Sequence, residues 1–254
     1  MTRFLRIAVA ASATLATIVA ATPSTAAAIV HHPRHGQGTG VGNLGWSSSN
    51  WSGYAVTGAG FTAVTGSWSV QSVSATKKAS YSSQWIGIDG FNNSSLIQTG
   101  TESDYVQGAA RYAAWWEILP AAETVIPSLQ VRPGDVMSAS VSNSGNGKWT
   151  ITITDTTTRG SFTTVQSYSG PQTSAEWIEE APTVGGRIAQ LAHYASPQTF
   201  DPGTVNGANP NLVAADGGDM IQQRQIVSTP SNPDSDGDGF NVSRSSTQPA
   251  PPSS

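Results

Sequence analysis

Lys148-Trp149-Thr150-Ile151-Thr152-Ile153-Thr154 decides the fold class. Trp149, Ile151 and Ile153 fall on one side of an extended chain and the threonines on the other, the period of two expected of a half-buried strand. Just before it, Val136 to Val141 alternates in the same way. Ser142-Asn143-Ser144-Gly145-Asn146-Gly147 between the two runs is rich in turn residues and is read as a hairpin connection. Further runs of Val, Ile, Thr and aromatics predict strands over 61–70, 81–88, 105–119, 162–168, 187–194 and 220–227. No stretch after residue 28 carries a sustained 3.6 period. The expectation is an all-β, two-sheet antiparallel β-sandwich in a single domain over 46–245.

The two ends read differently. Arg3 and Arg6, the apolar run 7–21 and the small residues 22–28 have the layout of a secretory signal peptide over 1–28, cut near Ala26 to Ala28. That apolar run is shorter than the roughly 20 residues of a membrane span. Residues 29–45 are glycine-rich and non-periodic, a flexible lead-in, and 246–254 are a Pro/Ser tail expected to be disordered.

Loss of 1–28 leaves ten basic against sixteen acidic residues, a formal charge of −6. An acidic chain argues against a nucleic-acid partner. Only 11% of residues are charged, which suits a surface that meets changing pH outside the cell. With no cysteine, stability must come from the core, and thiolate nucleophiles and cysteine metal sites are excluded. The expectation is a secreted, extracellular monomer with no membrane partner.

Catalytic classes narrow by elimination. The four histidines are His31, His32 and His35 in the lead-in and His193 in an alternating strand, which leaves a Ser-His-Asp triad without support. There is no Gly-x-Ser-x-Gly elbow and no His-Glu-x-x-His, so no metal is expected. His31, His32 and His35 could chelate weakly, but a solvated linker accounts for them. Asp234-Ser235-Asp236-Gly237-Asp238-Gly239 resembles the opening of a calcium loop, yet Ser245 stands where an EF-hand has its glutamate. Turn chemistry before a final strand explains the same residues. Of the remaining acids, Asp89, Glu102, Asp104, Glu117, Glu123, Glu176, Glu179 and Glu180, several follow a tryptophan closely. Either such pairs line a cleft, or the tryptophans fill the core and the acids face solvent.

Five stretches, in order, favour the cleft: Ser49-Asn50-Trp51-Ser52-Gly53-Tyr54-Ala55-Val56, Gln84-Trp85-Ile86-Gly87-Ile88-Asp89-Gly90, Leu96-Ile97-Gln98-Thr99-Gly100, Tyr112-Ala113-Ala114-Trp115-Trp116-Glu117 and Ala175-Glu176-Trp177-Ile178-Glu179-Glu180. Together they resemble the glutamic peptidases, or eqolisins, over roughly 46–243. The resemblance implies a lectin- or glucanase-like sandwich, no cofactor, polypeptide substrates, and a catalytic pair at Gln98 and Glu180. It further implies that Trp51, Trp85, Asp89, Trp115 and Glu117 line or support the substrate cleft. Glu179 and Glu180 would face opposite ways on a strand, so only one can meet Gln98. Departures are Ala113 where the family commonly has an acid, and Ile118 and Leu119 where it has aromatics. The brief lead-in has no counterpart of the long fungal propeptide, which argues against autoinhibition by a pro-segment.

In the implied chemistry Glu180 takes a proton from water. Gln98 orients that water and donates N–H to the oxyanion. A carboxylate near the ordinary ~4.3 favours acid conditions. The alternative is a β-sandwich glycan hydrolase or carbohydrate-binding protein. A glycosidase needs a second carboxylate where Gln98 offers an amide.

Overall fold

The Lys148–Asp155 strand lies between Val136–Gly145 and Gly160–Ser167, antiparallel to both. This computed structural model describes residues 27–254, so the expected export signal lies outside the described residues except for its last two positions. The connection predicted at 142–147 is a tight hairpin in which Asn146 and Gly147 take φ of 53° and 69°. Two successive positive φ values match the twist of the flanking strands. The sheet continues from Val136–Gly145 through Ala63–Ser69 and Gln198–Val205 to Phe240–Ser243.

The second sheet runs Ala109–Ile118, Ile97–Val106, Ser83–Ile88, Ser174–Glu180, Trp51–Thr57 and Gly217–Gln222, all antiparallel. Gln225–Pro230 pairs with Gly217–Gln222 at one end and with Phe240–Ser243 at the other, joining the two sheets. Between the sheets Tyr54, Trp68, Ile86, Ile97, Trp149, Ile151, Ile153, Trp177, Phe200 and Phe240 form one buried cluster. The second sheet also buries its outer face, where Trp51, Trp85, Trp115 and Ile178 form a separate cluster. A sheet apolar on both faces needs a cover, and here the cover is partly the segment around His31. The two-sheet antiparallel sandwich expected from the alternation is the fold observed.

Several expected elements differ in detail. The runs 105–119 and 220–227 each contain a hairpin turn, at Gln107-Gly108 (φ 55° and 80°) and at Gln223-Arg224 (φ 52° and 65°). The run 187–194 is two short pieces, Arg187–Ile188 and His193–Tyr194. The lead-in is not free: Ile29–Val30 pairs with Thr183 and Val184, and Gly36–Gly38 pairs with Trp46–Ser48. The tail is held as well, because Asn241 Nδ2 donates to the Ala250 carbonyl at 2.9 Å.

Candidate active site

Strand parity determines which side chains meet. On Ser174–Glu180, Ala175 and Trp177 enter the inter-sheet core while Ile178 joins the outer tryptophan cluster. Glu180 shares the outer face with Ile178, and Glu179 shares the inner face with Trp177. The Glu179 carboxylate accepts from Gln71 Nε2 at 3.2 Å, and burial pushes its pKa well above the ordinary carboxylate value. On Ile97–Val106, Ile97 points into the core, so Gln98 points outward, directly across from Glu117 on one neighbour and Gly87 on the other. Trp85, Gly100 and Trp115 form the next row along, and Glu180, Ser83 and Glu102 the row after that. Gln98 and Glu180 therefore stand on one face, either side of a tryptophan row.

The backbone at His31 lies across that row. Gln98 Nε2 donates to the His31 carbonyl at 3.0 Å and to Glu117 Oε2 at 2.8 Å. The His31 N–H returns to Glu117 Oε2 at 3.0 Å. The imidazole stacks on Trp115 with centroids 3.8 Å apart and planes within 4°. Its Nδ1 is 3.1 Å from Glu180 Oε2, and its Nε2 is 3.3 Å from Glu123 and 3.4 Å from Glu102. Glu180 Oε2 also accepts from Trp85 Nε1 at 2.8 Å, and Oε1 accepts from Asn50 Nδ2 at 3.4 Å. Gln98, Glu117, Glu180 and His31 are all completely buried.

Burial sets the electrostatics. It pushes the Glu117 carboxyl up to about 8, against the pull of nearby His31 and with the help of Glu180. Glu102 rises to about 7, again chiefly through burial. Burial alone would lower His31, but hydrogen bonds to Glu102, Glu123 and Glu180 outweigh it and hold the imidazole well above its ordinary 6.5. These contacts favour the imidazolium, the form that can donate from both nitrogens. A pocket of about 400 Å³ opens beside it, lined by Ile29, Tyr81, Glu102, Tyr112 and Glu123 among others.

Of the residues expected at the site, Gln98, Glu180, Glu117, Trp85 and Trp115 come together. Trp51 is wholly buried and sits edge-on beneath Trp85 at 4.9 Å, a support for that ring. Asp89 does not join them. The strand ends at Ile88, and Asp89 takes φ 72°, which turns its carboxylate toward Tyr168 Oη and the Gln172 and Thr173 N–H groups. It anchors that loop to the sheet. The flexible reading of 29–45 fails for the same physical reason that fills the cleft: the outer tryptophan face and its carboxylates offer the His31 segment partners that water cannot match. His31 and Asn50 were missed as site residues. Asn50 stood inside a quoted block beside Trp51, but no signal in the sequence ties His31 to acids so distant along the chain. His32 and His35 do not converge with His31 on a metal site; their rings lie 6.0 Å apart, tilted against each other.

The described residues contain no helix long and apolar enough to cross a membrane. Aspergillopepsin-2 of Aspergillus niger is 30% identical over 175 residues, 59% of this chain and 61% of that protein. Scytalido-glutamic peptidase, crystallised with a transition state analog inhibitor, has a similar fold: TM-score 0.67, 24% identity, covering 78% of this chain and 98% of that one. Aspergilloglutamic peptidase from Aspergillus niger gives a TM-score of 0.55 at 24% identity over 65% of this chain and 99% of that one. The model of the peptidase A4 family matches residues 49–243, which span all five sequence blocks and both Gln98 and Glu180. The chain belongs to the peptidase A4 family, the glutamic peptidases.

Proposed function

We propose that the exported chain is an endopeptidase working at acid pH, with Glu180 as general base and Gln98 as oxyanion donor. The observation that carries this reading is the peptide lying between them: one backbone carbonyl accepts from Gln98 Nε2 at 3.0 Å while the same residue's side chain meets Glu180 at 3.1 Å. A substrate carbonyl on the same amide would have its carbon within reach of a water activated by Glu180. The water attacks that carbon and gives its proton to Glu180, and the oxyanion receives the Gln98 N–H. Among the described residues Gln98 Oε1 has no partner, which leaves it to orient the water. Glu180 then returns the proton to the amide nitrogen as the C–N bond breaks, leaving a carboxylic acid and an amine. Trp85 Nε1 fixes the carboxylate throughout. Glu117, kept protonated up to about pH 8, supports Gln98 without adding charge beside the oxyanion.

With His31 in place Glu180 Oε2 faces the imidazole at 3.1 Å and Gln98 Nε2 is taken up by the His31 carbonyl at 3.0 Å, so neither group is open to a substrate or its water. Against the expectation drawn from the brief lead-in, the segment around His31 therefore acts as an internal plug that must leave before substrate enters. A glycan-hydrolase reading is weaker, because an amide stands where a second carboxylate would be needed and because the family is one of peptidases. The test is incubation of the purified chain, and of a version starting at Gly36, with a denatured protein and with a β-glucan at acid pH. Cleavage of protein only, abolished by E180Q, is expected; wild-type turnover in E180Q would overturn the assignment.

A further inference from the structure

On the first sheet, in a group apart from the tryptophan cluster, three aspartates from two distant stretches converge. Asp234 and Asp238 come from the 234–239 loop and Asp201 from the Gln198–Val205 strand, at the irregularity between Phe200 and Gly203. Each offers a carboxylate oxygen within 4.8 Å of the others. Turn chemistry accounts for one oxygen only: Asp234 Oδ1 accepts the Gly237 and Asp238 N–H groups at 2.9 and 3.1 Å. Among the described residues Asp234 Oδ2 has no partner, although the residue is only 8% exposed. It aims into the cluster, since a Cβ built on Gly239 would sit 2.4 Å from Asp234 Oδ2 and 2.8 Å from Asp201 Cγ. Only a glycine lets these two carboxylates close over that point. Among the described residues the ion pairs all involve His31, so no lysine or arginine neutralises the group.

A buried carboxylate oxygen without a donor, facing two further carboxylates, costs stability unless a cation joins it. We propose that Asp201, Asp234 and Asp238 form a calcium site. An all-oxygen set of irregular geometry suits Ca²⁺ better than Mg²⁺, which demands a near-ideal octahedron. Asp201 fills the gap left by Ser245: the acid absent from the twelfth loop position arrives from another strand. Three protein carboxylates with water completing the shell give affinity in the weak range of extracellular modules, roughly 10⁻⁴–10⁻³ M. The ion would pin the final strand, because Gly203 N–H already donates to the Asp238 carbonyl at 2.9 Å and Phe200 pairs with Phe240. The site is independent of the peptidase reading.

The experiment is thermal unfolding of the full chain in EDTA and across a CaCl₂ series, with MgCl₂ in parallel. Saturation of a millimolar site at about 10 mM Ca²⁺ raises the midpoint by about 3–6 °C for a domain of this size. Mg²⁺ shifts it much less. D201N, which leaves the Asp234 turn intact, loses most of the calcium shift, while D236N, an exposed loop acid outside the cluster, keeps it. Equilibrium dialysis against radioactive Ca²⁺ should give one site for wild type and none for D201N. No calcium-dependent shift, or an equal shift in D201N, overturns the proposal.

Discussion

His31 Nδ1 lies 3.1 Å from Glu180 Oε2, so the chain's own imidazole occupies the carboxylate proposed as its base. The contact joins residues 149 positions apart and holds the lead-in to the cleft. Its removal has a direct expected outcome. H31A, or a chain starting at Gly36, should hydrolyse a fluorogenic peptide at least about tenfold faster at pH 6, one decade for about 1.4 kcal/mol of lost competition. Unchanged initial rates would mean that the segment does not compete with substrate.

The same contact should weaken in acid. Glu102, Glu117, Glu123 and Glu180 face the imidazole, and Glu102, which burial lifts to about 7, loses its charge as pH falls through that value. The difference in rate between full-length and truncated chains should therefore shrink from pH 8 to pH 5. Progress curves at both values measure it.

E180Q and E179Q differ by a single position and should differ greatly in effect. The first removes the base and should reduce kcat to background. The second replaces an inward-facing acid that already pairs with Gln71 and should retain most of kcat.

Q98A should lower kcat about 10²–10³-fold, the usual effect of losing one oxyanion donor. Q98E should do no better, because a carboxylate offers no donor and would face Glu117 across the pair at which Gln98 Nε2 now donates. Steady-state kinetics on both variants, with circular dichroism to confirm folding, separates lost chemistry from lost structure.

Stability should be greatest in acid. Glu117 at about 8, Glu102 at about 7 and His31 well above 6.5 all bind protons more tightly when folded than when unfolded. Between about pH 4.5 and 8 the native state holds the extra protons, so stability falls as pH rises through that window. Midpoints of thermal unfolding should drop by about 5 °C or more from pH 5 to pH 8, and E117Q should flatten the fall. A midpoint that rises with pH would contradict the burial of these groups.

Much of this was legible in residues 148–154 and 175–180, because a period of two reports the strand and that only one of two adjacent acids can share a face with Gln98, while the resemblance pointed to Glu180. Asp89 misled because its block suggested a lining residue while a positive φ, invisible in the sequence, swings it out of register. The turns at Gln107-Gly108 and Gln223-Arg224 lack the Asn-Gly signature that marked Asn146-Gly147, so their hairpins merged into single runs. The His31 plug was out of reach for another reason: its partners lie 67, 86 and 149 residues away, and nothing local encodes such contacts. Asp201 joins Asp234 and Asp238 in the same non-local way.

The face-to-face stack of His31 on Trp115 has an optical consequence. A protonated imidazole against an indole drains its excited state, so Trp115 should be dark while the segment is seated and emit once it departs. Intrinsic fluorescence can then time the opening of the cleft in a stopped-flow pH jump, without any added dye, and W115F should erase the signal.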